Sequence, residues 1–231
     1  RLRVLARPSG VIAAAAFSAD GKRVAAFAWS DLTTGAGERY LAEVCVWDLS
    51  LNTPIGSWEV PTARAARGAK IAWHPSGGRL LVANEGVATV REPYWGGVQA
   101  TVEAPEGFEF DGAAFAPGGD RFVLTAHRST EGLAALYETA SGRRLADLGP
   151  AGATSFDPAL RGPKFTPDGT RLAIPDLGIR RATLRVLEWP TLRPVREVEL
   201  SAGAPAHFQS LGFPDAGHLA VRARTGGAPP P

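Results

Sequence analysis

The chain has 231 residues, 45% hydrophobic and 21% charged, a balance that suits a folded core and excludes a disordered polar chain. Lys and Arg number 25 against 23 Asp and Glu, a net charge of +2 without a basic cluster, which argues against a dedicated nucleic-acid binder. No apolar run approaches the ~20 residues of a membrane-spanning helix, so no membrane insertion is expected, and the single Cys45 excludes an internal disulfide and a multi-cysteine zinc site.

The first eight residues, Arg-Leu-Arg-Val-Leu-Ala-Arg-Pro, lack the apolar stretch of a signal peptide, and residues 2–5 read as the outermost strand of a unit begun upstream. Met is absent throughout, which favours a slice of a longer reading frame over a processed chain. From Phe17 onward one pattern recurs: an aromatic, a turn rich in Gly, Asp or Pro, a basic or polar residue, then an apolar run. It appears as Phe-Ser-Ala-Asp-Gly-Lys-Arg-Val-Ala-Ala at 17–26 and Trp-His-Pro-Ser-Gly-Gly-Arg-Leu-Leu-Val at 73–82. It returns as Phe-Ala-Pro-Gly-Gly-Asp-Arg-Phe-Val-Leu at 115–124 and Phe-Thr-Pro-Asp-Gly-Thr-Arg-Leu-Ala-Ile at 165–174. A fifth copy, one residue shorter, is Phe-Pro-Asp-Ala-Gly-His-Leu-Ala-Val at 213–221.

Each copy reads as a β-hairpin, with Gly supplying the positive φ of a tight turn and aliphatic residues the returning strand. Between copies lies a second pair of strand-like runs: 40–47 with 55–60, 87–91 with 98–102, 134–137 with 144–148, and 183–189 with 195–200. Four strands per repeat without helical periodicity predict an all-β fold, a β-propeller of four-stranded antiparallel blades. The predicted blades are 11–60, 69–103, 112–148 and 161–200, with a partial blade at 207–223 and another at the N-terminus. The propeller segment would span 1–225, and 226–231 would form a Pro/Gly linker or tail. A slice of a larger ring is preferred to a small closed five-bladed ring.

The Phe-Ser/Thr-x-Asp-Gly turn followed by an apolar strand, together with Val46, Trp47 and Asp48, resembles the WD-repeat β-propellers over nearly the whole chain. The Gly-His dipeptide that WD blades carry before the first strand is absent, so that family's buried His-Ser/Thr-Trp-Asp network is not expected in full. TolB-type propellers, which share the turn, stand as an alternative. The WD resemblance implies a non-catalytic scaffold that holds a protein or peptide on its loop rim. The TolB alternative would place the protein outside the cytoplasm; the lack of disulfides is compatible with the cytoplasm, the favoured compartment, and equally with exported bacterial proteins, many of which also lack them.

Two loop families share that rim: 30–38, 127–131 and 175–181 within blades, and 61–70, 104–111, 149–163 and 201–206 between them. Arg and aromatic residues anchor interfaces, which selects Trp29, Asp31, Arg64, Arg67, Phe108, Phe110, His127, Arg128, Phe156, Arg180 and Arg181. Against this stands the plainer reading that the phenylalanines pack between blades and the arginines are solvated. Phe17, Trp47, Trp73, Phe115, Phe165 and Trp189 recur at equivalent positions and are expected in the core, Cys45 is expected buried, and His74 is expected on the surface of its turn. No His-Glu-x-x-His, Gly-x-Ser-x-Gly or phosphate-binding glycine motif is present, so no catalytic residue, metal or cofactor is assigned. A propeller enzyme of lactonase or hydrolase type is the rival; His127 with a nearby carboxylate is its candidate base.

Overall fold

The computed structural model describes residues 10–34, 37–51, 53–66, 68–151, 162–177, 182–201, 207–213, 215, 218 and 220–224. All regular structure among them is β. Blade 1 comprises β1 (Val11–Phe17), β2 (Arg23–Asp31), β3 (Tyr40–Asp48) and β4 (Thr53–Val60). Blade 2 comprises β5 (Lys70–Trp73), β6 (Leu80–Asn84), β7 (Val87–Arg91) and β8 (Val98–Glu103). Blade 3 holds β9 (Glu109–Phe115), β10 (Arg121–Arg128), β11 (Glu131–Glu138) and β12 (Arg144–Gly149). Blade 4 holds β13 (Lys164–Phe165), β14 (Arg171–Leu177), β15 (Ala182–Glu188) and β16 (Pro194–Ser201), and a last hairpin pairs β17 (His207–Gly212) with β18 (Ala220–Arg224). Within every blade the strands lie side by side in chain order and run antiparallel, and β1, β5 and β9 come together as the first strands of successive blades. This is the predicted propeller architecture.

The recurring turn explains each first hairpin. Gly21, Gly77, Gly119 and Gly169 take φ of +67°, +72°, +77° and +71°, a region closed to most side chains. In blades 1 and 4 the turn is tied by a hydroxyl. Ser18 Oγ donates to Asp20 at 2.6 Å and accepts from Arg23 N–H, as Thr166 does with Asp168 and Arg171. Second strands are covered on both faces, so Leu80–Asn84 is buried throughout and reads as an unbroken apolar run. Outer strands keep one wet face, and β8 alternates accordingly.

Apolar clusters weld neighbouring blades. Ala25, Phe27, Val44 and Val46 of blade 1 meet Trp73, Leu80 and Val82 of blade 2. Leu81, Ala83, Ala88 and Val90 of blade 2 meet Phe115, Phe122, Leu124 and Tyr137 of blade 3, where Phe122 stacks on Tyr137 with centroids 5.4 Å apart. Val123, Ala134 and Leu136 then meet Leu172, Ile174 and Leu187 of blade 4, and Arg185 clamps that junction by donating to the carbonyls of Leu148 and Pro150.

Cys45, Trp47, Trp73 and Phe115 are buried as expected, at 5%, 2%, 8% and 8% exposure, while Phe165 and Trp189 pack half-buried, edge to face, at the junction of blades 3 and 4. Two residues depart from the sequence reading. Phe17 is 68% exposed, because the face of blade 1 that it occupies has no described blade laid over it. His74 is 9% exposed, because its turn is pressed against the turn of blade 3. Residues 2–5 lie outside the described residues.

Candidate functional site

The rim at the junction of blades 2 and 3 is built around the β6–β7 turn. Glu85 takes φ +53°, and its backbone carbonyl accepts from Phe110 N–H at 2.7 Å while that of Gly86 accepts from Ala104 N–H at 2.8 Å. The Glu85 carboxylate accepts from Thr62 Oγ1 (3.0 Å) and from Ala63 N–H (3.1 Å). Asn84 Nδ2 donates to Pro61 O at 3.3 Å. One two-residue turn thus fixes the loop arriving from blade 1 and the loop leaving for blade 3.

Arg64 projects from the first of these loops and pairs with Glu109, with Glu85 at 4.0 Å. The Glu109 carboxylate, bonded to the guanidinium, holds it even more firmly protonated than an ordinary arginine. Arg128, at the end of β10, lies with its guanidinium carbon 4.8 Å from the centroid of the Phe108 ring and donates to Glu131 at 2.7 Å and to Glu106 O at 3.4 Å. Both arginines are about half exposed, so their apolar stems and charged heads are set in place while one side stays open to a partner.

Deeper in the same blade lies a polar trio. Thr125 Oγ1 donates to Asp111 Oδ1 at 2.7 Å, and His127 Nδ1 stands 3.3 Å from Asp111 Oδ2. Asp111 and Thr125 are 3% and 2% exposed. Blades 1 and 3 share a first-strand bulge, and aligning the pair Phe17–Val24 with Phe115–Phe122 sets Asp111, Thr125 and His127 where blade 1 has Ala13, Phe27 and Trp29. Blade 3 therefore replaces an apolar trio with an acid, a hydroxyl and an imidazole. A carboxylate so placed is made tolerable by the Thr125 hydrogen bond to one oxygen, with the His127 ring standing beside the other.

Of the residues selected by sequence, Arg64, Phe108, His127 and Arg128 come together on this rim. Phe110 (2% exposed) belongs to the core between blades 2 and 3, and Trp29 (8%) to the core between blades 1 and 2, where it tilts against Tyr40. Asp31 sits apart, at the end of β2, where the hydroxyl and backbone N–H of Thr33 lower its pKa. Arg67, Phe156, Arg180 and Arg181 lie outside the described residues. Sequence reading passed over the acids Glu85, Glu109 and Asp111. The signal for Asp111 was a charged residue in the middle of a largely apolar strand; Glu85 and Glu109 carried none, since their roles arise from a turn and a strand end brought together in space.

No protein-family model matches the chain, and no curated protein does. Solved structures do. The β-propeller domain of Cps50 (Swd1) from Myceliophteria thermophila superposes with a TM-score of 0.66 at 16% identity, covering 94% of this chain and 65% of that one. Hydrazine synthase from Kuenenia stuttgartiensis gives 0.64 at 15% identity, covering 96% and 58%. A chain of a nidogen/laminin complex gives 0.64 at 15%, covering 94% and 73%. At these identities the likeness is one of fold. The chain spans about two thirds of the length of these structures or less, apart from the last.

Proposed function

We propose that the chain is a WD-repeat-like propeller segment, spanning residues 1–225 and followed by a short tail, that binds a protein or peptide without catalysis through its loop rim. The observation that carries this reading is the preorganised rim between blades 2 and 3, where Arg64, Phe108 and Arg128 are each held by partners from another loop or strand. Side chains already fixed lose little rotamer freedom on binding, so contacts there convert into affinity efficiently. Three solvent-accessible carboxylates, Glu85, Glu109 and Glu131, stand beside the two arginines, which favours a partner segment bearing lysine or arginine.

The test is a peptide-display selection on the purified protein, followed by binding of selected peptides to Glu109→Arg and Arg128→Ala. Loss of affinity of about tenfold or more in both, the scale of an interface hot spot, with no change in Trp95→Ala on the outer edge, is the expected result. Equal binding by all three variants removes this rim as the site.

The Asp111–His127 pair favours a second reading, a propeller hydrolase using His127 as base. Turnover of ester or lactone substrates that disappears in His127→Gln would establish it in place of the first.

A further inference from the structure

Comparing the blades with one another singles out one face. At each junction the first-strand aromatic of the later blade is laid on the earlier one. Trp73, 8% exposed, donates its indole N–H to Ala16 O of blade 1 at 2.9 Å. Phe115, also 8% exposed, meets His74 of blade 2 edge-on at 5.1 Å between centroids, and Phe165 packs with Val123 and Leu136 of blade 3. Phe17 holds the same register in blade 1 and is 68% exposed. Ile12 (57%) and Ala15 share its side of β1, opposite Ala28 and Ala26, and are exposed too, whereas Ala14 and Ala16 on the other side are half-buried against blade 2. The counterpart of Ile12 in blade 3 is Phe110, at 2%.

The hairpin turns repeat the contrast independently. Each later turn is touched at its positive-φ glycine by the preceding blade. Arg23 Nη1 donates to Gly77 O at 3.1 Å, His74 Nε2 lies 3.0 Å from Gly119 O, and a Cβ on Gly169 would stand 2.8 Å from Pro117. Around the equivalent Gly21, a Cβ would find nothing within 4 Å. Blade 1 thus carries both halves of a blade-docking surface, an apolar inner strand and a bare turn, with neither engaged by another blade among the described residues. The outer half of the same face is closed, Val24, Ala26, Cys45 and Trp47 being at most 7% exposed, so the open contact is confined to the inner strand and its turn.

We infer that this side of β1 is covered in the working protein by a further blade of the same repeat, supplied by the protein's own chain ahead of Val11. The existing junctions define what fits: second strands of Ala, Val, Leu or Phe, as in Ala25, Phe27, Leu81, Ala83 and Val123, and a turn residue that reaches the Gly21 backbone as Arg23 reaches Gly77. Uncovered, Ile12, Ala15 and Phe17 form an apolar strand face open to association.

The experiment is hydroxyl-radical footprinting, read by mass spectrometry, of the protein expressed from its whole reading frame. Phe115 serves as the buried reference and Trp95, 81% exposed, as the open one. The expected result is that Ile12 and Phe17 lose reactivity to the level of Phe115 once intrinsic side-chain rates are divided out, with no dependence on protein concentration. Phe17 as reactive as Trp95 overturns the inference. So does protection that vanishes on dilution, which assigns the face to a second copy, and so does a reading frame with no blade-forming sequence ahead of Arg1. The chain from Arg1 to Pro231 alone is expected to show Phe17 reactive, and a protected Phe17 there also overturns it.

Discussion

His74 sits in a hairpin turn yet works as a joint between blades. Ser76 N–H lies 3.1 Å from Nδ1, which must then carry a lone pair, and Nε2, 3.0 Å from Gly119 O, must carry the proton. Both bonds exist together only in the neutral ring. Burial lowers the pKa, Arg79 adds to this, and the bond to Gly119 opposes it. The folded value therefore lies below the unfolded 6.5, so the unfolded chain takes up the proton first. This contribution to stability is complete above pH 6.5 and is lost as pH falls through 6.5 and on past the folded pKa. Thermal melts between pH 7.5 and 5 are expected to fall in midpoint, and His74→Leu is expected to flatten that slope whatever its own stability. Gly112 makes a steric case of the same kind. It lies against Gly162, whose own Cβ would stand 2.9 Å from the Gly112 Cα. Gly112→Ala should cost about 1–3 kcal/mol in urea unfolding, as overpacking usually does.

Among elements, position in the blade decides what a strand tolerates. Second strands lie between two sheets, and Phe122 at the start of the β10 apolar run is fully buried against Phe115 and Tyr137. Phe122→Ala is expected to cost about 3–5 kcal/mol in denaturant unfolding. Val98→Ala on the outer strand β8, where the side chain is 52% exposed, should stay within about 0.5 kcal/mol. These elements were legible in the sequence because the Gly-centred turn and the flanking alternation are local and recur. The bulges in β1 and β9 were not, since a bulge shows itself only against its partner strand. For the same reason the equivalence of Trp29 with His127, which recasts one as core and the other as part of a polar trio, could not be seen before the strands were paired.

Across the molecule, each blade packs on its chain neighbours, so stability should divide blade by blade. Phe27→Ala, which opens the junction of blades 1 and 2, is expected to raise amide exchange in β1–β6 while β10–β12 keep their protection; uniform loss would mean that the blades unfold as one unit. By itself the sequence determined the architecture: turn glycines with positive φ, aromatics at repeat spacing and apolar runs of strand length dictate four-stranded blades, because these are properties of short segments. Only the tertiary structure decided which faces those blades cover. Phe17 and Phe115 stand at the same position of the repeat and in the same strand register, yet one is open and the other buried, since burial depends on the neighbouring sheet. The rim likewise exists only where three separate parts of the chain meet, as Arg64, Glu85 and Glu109 do.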